Sequence, residues 1–560
     1  MFTHLLTNAG KIFTLRFSAH AERHSTVAPI DLTIANTAEG MILKMRENMT
    51  SHYRTIRRVL SLFIAACLVL GMPLMSVFAA EYGYPEAAPR GDEPDELTAS
   101  GSSGGMIAFA EIDGAISVSP GVMRLAATHT WDSAAPPTGL QDGDTVTISG
   151  APSGELVIPG GMTITVQGSV TQATQELDLN ISANSTVKWG ADYWGTAARA
   201  LINFTGDGTL EVGSGGYIYN TGGGNAILAS GAKVVVSGDN SMSGTVQSVT
   251  GSAIRGAGPN TTVTVEGSGS VMNDATANLN PVINMTDVTN TGDNVFVTGN
   301  GHVWALSETG LDYAIQTFGN VVVSGGDIYS AAVNGRAINL VGLNSTAKIS
   351  GGKVHADGQN GVAISTATTG LPSPGETVAN ASAEITGGDV TASSYAIRMR
   401  GNSSHVIVGG GTVSSTADDA IYATGASADI EVSGGVVSAT DGDAIHTTQQ
   451  GANVTVSGGV VSATNGYAIH TTQQGANVTV SGGFVFAYGT GIGGVVNKPG
   501  FAPGGTGIVA AWQETESPYV YAKGHDSHLI SLPDPAGTVT WDSDTALGGG
   551  IRYKNGANQG

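Results

Sequence analysis

The sequence predicts an all-β chain wound as a parallel β-helix, and three observations carry that expectation. Residues 432–459 read VSGGVVSATDGDAIHTTQQGANVTVSGG, and residues 456–483 repeat them at an offset of 24 with only Asp441 replaced by Asn465 and Asp443 by Tyr467. Weaker copies precede this duplication, marked by Gly-Gly steps at Gly325–Gly326, Gly351–Gly352, Gly387–Gly388 and Gly410–Gly411 and by Ala-Ile pairs such as Ala337–Ile338, Ala363–Ile364, Ala396–Ile397 and Ala420–Ile421. A fixed period of this length marks stacked supersecondary units, each burying its apolar face against its neighbours. The third observation is the period inside the unit: Val454 and Val456 flank Thr455, the alternation of a strand with one buried face. Nothing in the unit has a helical period.

Each element of the coil follows from its residues. Asn453 to Val456 forms a first strand, and Ser457-Gly458-Gly459 turns the chain because glycine accepts backbone angles that a side chain forbids. Val460 to Ala463 forms a second strand, and Thr464-Asn465-Gly466 a polar turn. A third strand opens at Ala468–Ile469 and ends in Gln473-Gln474-Gly475. Some fourteen such coils, stacked at roughly 4.8 Å, would extend on the order of 65 Å. Longer gaps, such as the LPSPGETVAN insert after Ile364, read as loops bulging from single coils. Earlier segments (VTISG, ITVQGSV, LINFTGDGTL) are less regular and read as an N-terminal cap.

The flanks have different chemistry. Arg54, Arg57 and Arg58 precede an apolar run from Val59 to Leu70, followed by Val77-Phe78-Ala79, the pattern of a secretory signal peptide cut after Ala79. Residues 1–44 then read as an upstream extension, with Met45 or Met49 as the start, 45–79 as the signal, and 80–126 as a flexible acidic Pro/Gly/Ser lead. The β-helix is expected over 127–495. Residues 496–560 break the period, and IVAAW, YVYAKG, TVTW and GIRYKNG read as short hairpin strands of a C-terminal β cap over the open end. The only cysteine, Cys67, lies in the signal, so the mature chain is expected to have no disulfide and no thiolate site. These features place the protein outside the cell.

Composition narrows the partners. Glycine is 82 of 560 residues, but Val, Ile, Thr and Ala interleave it regularly, which argues against low-complexity disorder. A net charge of −22 disfavours nucleic acid and anionic membrane surfaces, where basic patches are needed.

The SGG-V-V-S-A-T…AI…VTVSGG unit, the VFAYGTGI close and the GIVAAW…AGTVTW…GGGIRYKNGANQG tail resemble the β-helical region of large Gram-positive surface adhesins. They also resemble, more broadly, the pectin-lyase-like and carbohydrate-binding right-handed parallel β-helix families. The resemblance covers roughly residues 140–560. It implies the fold and a secreted or cell-surface context; together with the low charge and the missing catalytic set it favours a non-catalytic adhesin or carbohydrate-binding scaffold, expected to be monomeric and to meet polysaccharide on a host or cell wall.

Two constellations are candidates for chemistry. Outward of each inward Ile lies a column of Arg255, Gln316, Asn339, Ser365, Arg398, Tyr422, His446 and His470. Such a strip offers sugar hydroxyls donors and acceptors and offers their apolar faces aromatic rings. Arg398, Tyr422, His446 and His470 form the expected ligand face; His446 and His470 also present two nitrogens to a metal. The second constellation is Asp418-Asp419 with Asp443 one coil later. Its resemblance to the Asp-Asp motif of polygalacturonase-like enzymes implies the alternative of a glycoside hydrolase, or of a calcium-assisted polysaccharide lyase with Arg398 as base. The other landmarks of those enzymes have no matching positions here.

Overall fold

The structure is a computed structural model. It describes residues 126–510 apart from short stretches at 134, 240–243, 274–279, 309–311, 367–377, 474, 489–494, 499–500 and 502–503, with the backbone alone of separate strands on either side. The expected signal cleavage site, Cys67 and the flexible lead up to residue 125 fall outside the described residues, as does most of the insert after Ile364. The chain divides into two compact units, Met1–Ser117 and Val118–Gly560. In the first, Phe2–Asn8, Lys11–Ala19, Ile30–Asn36 and Met41–Glu47 form an antiparallel meander.

The second unit is a parallel β-solenoid of about 14 coils, each contributing one strand to each of three faces. In the duplicated region the first face is Asp429–Val432, Asn453–Val456 and Asn477–Val480, paired in parallel without register shifts. The second face is Val436–Ala439, Val460–Ala463 and Phe484–Tyr488. The third face stacks Ile421–Ala423, Ile445–Thr447 and Ile469–Thr471 within a 14-stranded parallel sheet that reaches back to Gly154–Ile158. Val454, Val456, Val461, Ala468 and Ile469 all point into the coil and are buried to 1 % exposure or less. They belong to one continuous core that begins at Trp131.

The Gly-Gly step carries two separate demands. Its second glycine adopts a left-handed backbone, with φ of 70° at Gly459 and 67° at Gly435, where a side chain would be strained. Its first glycine lies directly on the coil below: a Cβ at Gly458 would sit 2.2 Å from the Ser433 carbonyl oxygen, and one at Gly434 2.3 Å from that of Gly409. In four coils the chain passes through this corner as a strand of 11 residues, in Thr163–Ala173, Asn320–Ser330, Thr346–Ala356 and Ser382–Ala392. The corner before the first face uses Asn380, Ser403, Ser427, Gly451 and Gly475 at positive φ in successive coils.

The early segments read from sequence as an irregular cap are ordinary coils. Thr163–Ala173, Thr186–Trp189 and Thr209–Val212 pair in parallel with the same inward alternation as the later repeats. Their cores are larger, with Trp189, Tyr193 and Phe204 fully buried, which disguises the period. At the other end Ile508–Gln513 continues the second face in parallel, and Glu516–Ala522 and Leu529–Ser531 then add antiparallel strands.

Polar side chains line the corner between second and third faces and satisfy turn backbone. Buried Asn220 accepts from the Ala197 and Gly222 amides and donates to the Asn225 carbonyl. Asn273 donates to both carboxylate oxygens of fully buried Asp312, at 3.0 and 2.9 Å. Burial nonetheless pushes the Asp312 carboxyl up to about 7 from its ordinary 3.8. The folded chain therefore keeps a proton that the unfolded chain has released between those two values, and stability falls as pH rises across that window. Relative to the parent chain, Asp312→Asn should gain melting temperature as pH rises between about pH 4 and about pH 7. A pH-independent difference would reject a protonated Asp312.

Candidate functional site

The third-face strands place the expected column in register. Arg398 pairs with Tyr422, Tyr422 with His446 and His446 with His470, while Gln316, Asn339 and Ser365 precede Arg398 in the same column. Asn284 also belongs to it, carried by a Val-Ile pair instead of Ala-Ile. Two members are not outward ligands. Asn339 and Ser365 are each 1 % exposed, because Arg336 folds over them and donates to Asn339 Oδ1 at 2.7 Å, while Ser365 Oγ donates to the same oxygen at 3.0 Å.

From Tyr395 onward the column is a stack of rings. Tyr395 and Tyr422 stack at 5.0 Å and 19°, Tyr422 meets His446 at 5.2 Å, and His446 stacks on His470 at 4.4 Å and 12°. Tyr467 closes the far end against His470 at 4.8 Å, and the Arg398 guanidinium lies 5.2 Å from the Tyr395 ring. Tyr395 and Tyr467 enter from the position just before the Ala-Ile pair, three residues ahead of Arg398 and His470. The sequence signal was available there, since Tyr395, Asp419, Asp443 and Tyr467 share that position in successive coils. Tyr395 on Tyr422 and His446 on His470 are stacked pairs, while Tyr422 is tilted 56° to His446 and Tyr467 43° to His470, and the His446 Nε2 is buried without a hydrogen-bond partner. The face-on contact between sugars and rings expected from sequence is thus largely used up within the column.

The aspartates tie coil to coil. Asp419 Oδ1 accepts the Asp443 amide at 2.8 Å and Oδ2 faces His446 Nδ1 at 2.9 Å. Asp443 repeats this one coil on: Oδ1 accepts the Tyr467 amide at 2.7 Å and Oδ2 faces His470 Nδ1 at 2.7 Å. With Nδ1 of each histidine on a carboxylate, the His446 Nε2 is buried without a hydrogen-bond partner. Asp418 is separate, accepting from Ser394 Oγ at 2.6 Å. Asp419 and Asp443 are only 14 % and 11 % exposed, so both oxygens of each are spent inside the stack. The Arg398 Nε is buried without a hydrogen-bond partner.

Asp443, His446 and His470 bring three ligand atoms within 4.8 Å of one another. Calcium prefers six to eight oxygens, and this donor set is two-thirds nitrogen.

A second array, on the second face, escaped the sequence reading. Trp194, Tyr219, Gln247, Met272, Trp304, Tyr329 and His355 follow one another in a single outward column. The periodic signal was the outward position of VWA, IYS and VHA, diluted by the irregular length of these coils. Within it Trp304 Nε1 donates to Asp327 Oδ2 at 2.9 Å, and His355 lies between Asp327 at 2.8 Å and Asp357 at 3.4 Å. Although burial opposes it, bonding to these carboxylates raises the His355 imidazole above its ordinary value, and the same bond lowers Asp327.

No known protein family, curated protein or solved structure matches the chain.

Proposed function

We propose that this chain is a secreted or cell-surface, non-catalytic β-helical scaffold of the adhesin kind, which binds an extended polysaccharide along the third face at Arg398, Tyr422, His446 and His470. The observation that carries this reading is the register itself: hydrogen-bonding side chains recur once per coil in one unbroken column. Recognition runs through the Tyr422 hydroxyl and the His470 edge, with the Arg398 guanidinium at one end, while His446, its Nδ1 on Asp419 and its Nε2 buried, packs between them. Many weak equivalent contacts favour a long polymer, since each bound sugar raises the effective concentration of the next. The non-catalytic reading follows from the engagement of Asp419 and Asp443 with backbone amides and imidazoles.

The test separates edges from packing. The triple variant Tyr422→Phe, His446→Leu and His470→Leu removes the hydrogen-bonding groups while keeping side-chain volume along the axis. Its affinity for long glycans should fall about tenfold, the loss of one good hydrogen bond, and binding by the parent chain should strengthen with glycan length. Release of products from pectin-like or other glycans, abolished by Asp419→Asn, would replace this reading with a hydrolase or lyase.

A further inference from the structure

The ring column of the second face stops abruptly, and the stop borders a cleft. Tyr329 stacks on His355 at 4.6 Å and 28°. The register partner of His355 on its other side is Thr391, which has no ring, and Ser414 and Ser438 follow in the same column. The imidazole face turned toward Thr391 therefore lacks the aromatic neighbour that its other face has. Beside this stop lies an open cleft lined by Asp357, Thr391, Ala392, Ser393, Ser414 and Thr416, which His355 adjoins through its bond to Asp357 and its register partner Thr391. Asp357 is 59 % exposed at its rim, oriented by His355 Nδ1. Asp327, held by both Trp304 and His355, braces the imidazole from behind.

We propose that this cleft is a saccharide subsite that binds one pyranose of a neutral glycan. The sugar ring takes the place that the next aromatic side chain would occupy, with its C–H face on the free face of His355. The Asp357 carboxylate accepts from two neighbouring hydroxyls, and Thr391 and Thr416 supply the lesser donors and acceptors. Apolar ring face and polar edge are the two surfaces a pyranose presents, and the cleft offers one partner for each. A neutral sugar fits better than an acidic one, because Asp357 lies at the rim and exposed Asp389 pairs in the adjacent outward column with Lys353. The site lies on a different face from Tyr422, His446 and His470 and stands independently of the reading proposed for them.

The full secreted chain should be titrated with neutral tri- and hexasaccharides of glucose, xylose, mannose and N-acetylglucosamine. Binding is read by calorimetry and by the histidine side-chain resonances. At least one series should bind, shifting the His355 imidazole signals and reaching nearly full affinity at the trisaccharide, because a single subsite gains little from length. Thr391→Trp extends the ring stack into the cleft and should weaken that binding at least tenfold. Asp357→Asn should weaken it several-fold, and the melting temperature of both should stay close to the parent. The third-face triple variant should leave trisaccharide binding unchanged. Undiminished affinity in Thr391→Trp, or no binding of any neutral series by the folded chain, overturns the subsite. Loss confined to the third-face variant would do the same while sustaining the polymer-binding reading.

Discussion

Ile445→Asp should destabilise the solenoid by on the order of 4–5 kcal/mol, combining the lost burial of a large aliphatic side chain with an unpaired charge in a dry core. Ile445 is fully buried and stacked in register between Ile421 and Ile469. A solenoid coil touches only its neighbours, so the damage should be strongest locally and open the adjoining third-face strands first. Hydrogen exchange at Ile421–Ala423 and Ile469–Thr471 should accelerate well beyond that of the early coils around Trp189. Thr455→Asp, on the outward side of Asn453–Val456, should cost less than about 1 kcal/mol, arising from the neighbouring Glu431 charge. Equal denaturation midpoints for the two variants would show that inward and outward positions are reversed.

The second large effect is expected from one methyl group. Gly458→Ala brings a Cβ to 2.2 Å from the Ser433 carbonyl oxygen and 3.0 Å from its carbonyl carbon, both backbone atoms with no freedom to withdraw. Relief requires the two coils to separate, which breaks the Ser457 and Gly458 amide bonds to the Val432 carbonyl, now at 2.9 and 3.3 Å. The cost should reach several kcal/mol, as for overpacked core sites. Gly475→Ala is the informative comparison. Gly475 has φ of 91° but nothing within 4 Å of its Cβ position, so only the left-handed backbone is strained, at roughly 1–2 kcal/mol. If both variants melt together, the close approach between coils at Gly458 is not real.

Residue spacing alone shows most of this architecture. The 24-residue repeat, the Gly-Gly corner and the alternation of VTV and VVSA are local consequences of a chain that must bury one side of every strand, so all three faces and their inward residues are legible in sequence. The column after each Ile is equally legible, because parallel pairing without register shifts carries equal positions in the repeat onto one another. The early coils were harder to read since bulky residues such as Trp189 and Phe204 fill the same inward places and change the local spacing.

What position along the repeat leaves open is the direction and company of each outward side chain. Asp419 and Asp443 look alike whether they face solvent, a substrate or the next coil; the stacked backbone places an amide and an imidazole within reach of each and so consumes them. Asn339 and Ser365 are outward by alternation yet buried, because Arg336 of the same third face lies across them. The rings of His446 and His470 turn their faces to each other because parallel pairing sets them one coil apart, 4.4 Å between centroids, while Tyr422 is tilted against His446. Sequence by itself determined the solenoid, its period, its corners and its core, since those depend on contacts repeated in every coil. Only the tertiary structure decided which polar groups remain free to meet a ligand, since that depends on what the neighbouring coils set beside them.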